Sequence, residues 1–118
     1  MRLGDNERAL ASFHQAVEYQ ETSTNLLALA HGYLEKGHYR TARQWVERAL
    51  ALDSNISIYH LSHAVVCWLQ GEIESAQSHL AEAMRRDRHI MNAKKLQFDY
   101  FWGPRALEAL DQLLAAKR

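Results

Sequence analysis

Three residues of this sequence stand where they could do chemistry. His60, His63 and Cys67 fall at i, i+3 and i+7, which puts them on one face of a helix. Imidazole and thiolate are zinc-ligand types, and His79 lies on the segment that follows. Cys67 also stands four residues after His63, the spacing of a nucleophile and its base on one helix. A metal-dependent enzyme is the activity such a set would support. Against it, no carboxylate stands out as a partner, and the chain has no glycine-rich phosphate loop or paired acidic motif. The remaining histidines are scattered: His38 follows a turn glycine, and His14 and His89 read as exposed. The basic run Arg85-Arg86-Asp87-Arg88-His89, with Lys94-Lys95 beyond it, could contact nucleic acid or an acidic peptide. It reads better as cations at a helix C-terminus, where they complement the helix dipole.

The whole chain narrows the choice. It has 118 residues, 14 basic and 14 acidic, with a formal net charge of zero and 47% hydrophobic residues. That length suits one domain with one core. Neutrality leaves no electrostatic footprint for nucleic acid or acidic lipid, and the apolar fraction is too high for a disordered tail. Five glycines and one proline argue for helices over a many-turned β fold. The single cysteine, Cys67, can form no internal disulfide. No apolar run approaches the roughly 18 residues of a membrane span. Met1-Arg2-Leu3-Gly4-Asp5-Asn6 does not read as the apolar stretch of a signal peptide.

The elements that position these residues repeat. Gly4, Gly37, Gly71 and Pro104 are separated by 33, 34 and 33 residues. The same steps carry Ala9 to Ala42, Ala76 and Ala109, Phe13 to Val46, Leu80 and Leu113, and Ala16 to Ala49, Ala83 and Ala116. Small positions stay small and large apolar positions stay large, so one supersecondary unit recurs. Each unit reads as two helices around its glycine: 23–36 with 39–52, 58–70 with 73–86, and 90–102 with 105–117. A lone second helix, 5–19, precedes them, making seven in all. Each is too short to stand alone in water, so stacking must supply the stability.

These columns resemble the tetratricopeptide repeat family. The second unit gives Leu26, Leu29-Ala30, Tyr33, Gly37, Ala42, Val46 and Ala49. The third gives His60, His63-Ala64, Cys67, Gly71, Ala76, Leu80 and Ala83, and the fourth Ala93, Leu96-Gln97, Tyr100, Pro104, Ala109, Leu113 and Ala116. The proline that usually closes each repeat is replaced by Glu21, Ser54 and Arg88. In this register His60, His63 and Cys67 occupy the packing positions held one unit earlier by Leu26, Leu29 and Tyr33. Packing, with no metal, no cofactor and no catalysis, is therefore their expected role.

The resemblance implies an all-α fold, a right-handed α-solenoid of about three and a half repeats in a single domain. Its units are a half repeat 1–22, repeats 23–56 and 57–89, and a degenerate repeat or capping pair 90–118. The chain opens halfway through a repeat and ends on an apolar helix, so a piece of a longer array is expected. The family's first helices line a concave groove that takes a protein or peptide. The implied groove residues are Leu27, His31, Leu34, Leu61, Val65, Trp68 and Phe98, with Lys95 pairing an acidic group at one end. The positions of the family's carboxylate clamp hold Leu27, His31, Ser62 and Met91, so an apolar or amphipathic segment fits better than a charged tail. The opposing reading makes the aromatics, Trp102 among them, core against neighbouring repeats or a terminal helix. Open repeat ends also invite self-association. The expected function is a non-enzymatic protein-interaction scaffold; the alternatives are a subunit of a bacterial envelope assembly and, remotely, an enzyme using His60, His63 and Cys67. A lone cysteine fits a reducing cytosol and equally permits a periplasm, so the compartment stays unassigned, with the cytoplasm marginally preferred.

Overall fold

The computed structural model describes residues 3–20, 22–87, 96 and 102–117. They form six helices: α1 (Leu3–Tyr19), α2 (Ser23–Glu35), α3 (Tyr39–Leu52), α4 (Ser57–Leu69), α5 (Ile73–Arg86) and α6 (Pro104–Lys117). There is no strand among the described residues, and no helix is long and apolar enough to cross a membrane. The expected helix at 90–102 lies outside the described residues, apart from a buried, helical Leu96 and a buried Trp102.

The two glycines that set the repeat end their helices in one way. Gly37 and Gly71 adopt φ of 85° and 82°, a left-handed conformation that glycine enters without a Cβ penalty. The Gly37 N–H donates to the Leu34 carbonyl and the His38 N–H to that of Tyr33. Gly71 and Glu72 do the same to Trp68 and Cys67. These paired bonds satisfy carbonyls that a helix end would otherwise orphan, and they reverse the chain into the next helix. At the other end of α2, the Thr22 hydroxyl accepts the Asn25 N–H at 3.2 Å as an N-cap.

The resulting hairpins stack into an all-helical repeat solenoid. The second helices bury one stripe each: Ala42, Val46 and Ala49 on α3, and Ala76, Leu80 and Ala83 on α5. The small residues let helices approach and the larger ones fill the gaps. The first helices differ. α2 buries Leu26 to Gly32 without a break, and α4 buries Leu61 to Cys67 likewise. A helix buried on all sides has neighbours on all sides. For α2 and α4 the additional neighbour is α6, which packs on both and also touches α5. A regular continuation of the stack would leave α6 two steps from α2. Its seat on α2 makes it a lid over the first helices.

Candidate functional site

The face formed by α2 and α4 is built from residues at helical spacing. Leu27, His31 and Leu34 come from α2, and Leu61 and Val65 from α4. These five are among the residues expected to line a groove. All five are buried, because α6 lies over the face and brings Ala106, Ala109, Leu110 and Leu113 against the core. Trp68 is half-buried, and its indole N–H donates to Gln112 Oε1 of α6 at 2.9 Å. Lys95 and Phe98 lie outside the described residues. Trp102 is core: it is 1% exposed and its ring sits 5.0 Å from the His31 ring of α2.

His31 is the polar centre of this closed face. Its Nε2 shares a 2.9 Å hydrogen bond with the Ser62 hydroxyl, joining α2 to α4. Among the described residues, its Nδ1 and the Trp102 Nε1 have no hydrogen-bond partner. Complete burial pushes the imidazole down to about 3, so it is neutral throughout the physiological range.

The start of α6 is clasped by α2. Pro104 occupies the first helical position, which suits its fixed φ. Glu35 Oε1 and Oε2 accept the backbone N–H groups of Arg105 and Ala106 at 3.1 and 3.0 Å. A carboxylate from 70 residues upstream thus caps α6 and meets the positive end of its dipole. Gly103 is what allows this, because a Cβ there would collide with the Glu35 carboxyl group. Arg105 closes the clasp by donating to the Tyr39 hydroxyl at 2.7 Å.

A second cluster lies between α4 and α5. Here the trio of the sequence reading divides. His60 turns to the loop and its Nε2 bonds the Ser54 carbonyl at 2.9 Å. His79 of α5 comes in instead, and the ligand atoms of His63, Cys67 and His79 lie within 4.8 Å of one another. The two imidazoles stack at 3.9 Å. Glu47 Oε2 approaches His63 Nε2 at 3.3 Å, out of line for a hydrogen bond, so both ring nitrogens stay without one. Burial, helped by His79 and Arg43 and opposed by Glu47, lowers His63 to about 4. Burial also lowers His79 and raises Cys67. Arg43 is held by Glu47 at 3.3 Å and by Glu72. The signal for His79 was available: it falls three residues after the apolar-stripe position Ala76 and one before Leu80, on a helix that packs against α4.

Elsewhere, His14 is half-buried rather than exposed, and its Nε2 bonds the Tyr33 hydroxyl at 2.8 Å. Arg85 and Arg86 end α5 as expected, and both pair with Glu82 at 2.8 Å. His89 lies outside the described residues.

Among known proteins, no curated sequence matches this chain. A family model does: residues 24–56, spanning α2, the Gly37 turn and α3, match the tetratricopeptide repeat. That stretch holds one complete copy of the unit whose register runs on through α4 and α5, and the match supports a tetratricopeptide-repeat assignment.

Proposed function

We propose that this chain is a non-enzymatic protein-interaction scaffold whose α2–α4 face receives an apolar amphipathic helix, and that α6 holds that place in cis. The family's repeats support the general role of protein binding. The observation that carries the specific reading is the seating of α6 on both first helices. Its buried residues Ala106, Ala109, Leu110 and Leu113 fall at i, i+3, i+4 and i+7, the pattern of a helix laid in a groove. A partner helix with that pattern competes with α6 for the same surface. The tether gives α6 an effective concentration on the order of millimolar, so the competitor must bind tightly or meet a chain with α6 released.

The test is a fluorescent peptide of residues 102–117 titrated against wild type and a Leu110→Asp/Leu113→Asp variant. The variant, freed of its own α6, should bind the peptide, and wild type should bind it at least tenfold more weakly. A helical variant that binds no peptide would defeat the proposal. Hydrogen exchange on wild type provides a check independent of that variant's folding. α6 amides should exchange through openings that leave α2 to α5 protected.

A further inference from the structure

We propose that His63, Cys67 and His79 form a binding site for one borderline-soft transition-metal ion, Zn2+ being the best match. The donor set is two imidazoles and a thiolate, which is selective for zinc over the hard cations. Its geometry is near what the ion requires. A tetrahedral ion with bonds of about 2.0 Å to nitrogen and 2.3 Å to sulfur holds two nitrogens and a sulfur about 3.3–3.5 Å apart. The three ligand atoms already lie within 4.8 Å of one another, a gap that rotamer adjustments across two packed helices can close.

The second observation is the state of His63. It is 7% exposed, and neither of its ring nitrogens has a hydrogen-bond partner among the described residues. A buried polar group left so is destabilising relative to a satisfied one. A bound ion would remove that penalty by taking a ring lone pair. His63 and Cys67 stand one turn apart on α4 and His79 faces them from α5, so the ion would cross-link the hairpin around Gly71. Glu47, 3.3 Å from His63 Nε2, is the carboxylate at hand for a fourth ligand. It would also balance charge: Zn2+ with one thiolate and one carboxylate is neutral. The Cys67 thiol gives its proton to solvent as the metal–sulfur bond forms. His60, engaged with the Ser54 carbonyl, takes no part.

The reduced full chain is titrated with Co2+ and then with Zn2+. Co2+ should bind one to one, with a near-ultraviolet thiolate-to-cobalt charge-transfer band and the visible bands of a tetrahedral ion, and Zn2+ should displace it. Cys67→Ser should abolish the charge-transfer band. His79→Gln should weaken binding at least tenfold, and His60→Ala should leave it unchanged. His79 is only partly buried, so its variant serves if Cys67→Ser does not fold by circular dichroism. Absence of saturable binding at micromolar metal would overturn the site, as would binding that survives in His79→Gln at full strength.

Discussion

His31 shows how one side chain can look like a ligand contact and act as a core residue. Its lowered pKa gives a stability signature whose sign is fixed. The unfolded chain binds a proton below about 6.5, and the folded chain does so only near 3. Stability is therefore full above pH 6.5 and falls as pH drops from there toward 3, by up to about 1.4 kcal/mol per pH unit. His63, lowered to about 4, adds to the slope over the upper part of that window. Urea titrations from pH 7 to 4 should show this loss. His31→Leu/Ser62→Ala should flatten the His31 share, because both partners of the 2.9 Å bond go together. Ser62→Ala alone should cost about 1–3 kcal/mol at pH 7, since His31 would keep no hydrogen bond. The sequence puts His31 on the side of α2 expected to line a groove. It could not show what covers that side, and the covering residue, Trp102, is 71 positions away.

At the scale of the element, α6 depends on a cap that it does not encode. Its own start offers Pro104 but no side chain to take the first N–H groups, and Glu35 supplies both acceptors. Glu35→Ala should lower stability by about 1 kcal/mol, the usual worth of a cap. Gly103→Ala should cost a similar amount, because its new methyl displaces the same carboxylate. The double variant should cost little more than either single one, and a denaturation cycle measures that coupling. In the body of α6, Leu113→Ala should cost about 2–5 kcal/mol, against much less for the partly buried Leu114. Repeat columns foretold Leu113 as buried, beside Val46 and Leu80, and all three are 0% exposed. They failed at Ala116, which is exposed although Ala49 and Ala83 are buried. A column marks which face of a helix is apolar. Ala116 lies on the last turn of α6, which no described residue covers in the way α4 covers α3.

For the molecule as a whole, the periodic glycines and alanines made the helix-turn-helix stack legible. Gly37 and Gly71 encode local geometry, and local geometry is what a sequence states most directly. The closure of the first-helix face was harder to read because it rests on contacts of long range: Glu35 with Arg105, Trp68 with Gln112, His31 with Trp102. None leaves a spacing signature. His79 joins His63 and Cys67 only once the Gly71 turn has folded α5 against α4. The central claim is that α6 and Trp102 close the α2–α4 face. The most direct measurement is a nuclear Overhauser spectrum of the full chain. The closed face predicts cross-peaks between the His31 imidazole and Trp102 indole protons, whose rings are 5.0 Å apart, and between the Trp68 indole N–H and the Gln112 side chain. Absence of both sets in a folded, helical sample, with Trp102 emitting as a solvated indole, would contradict it.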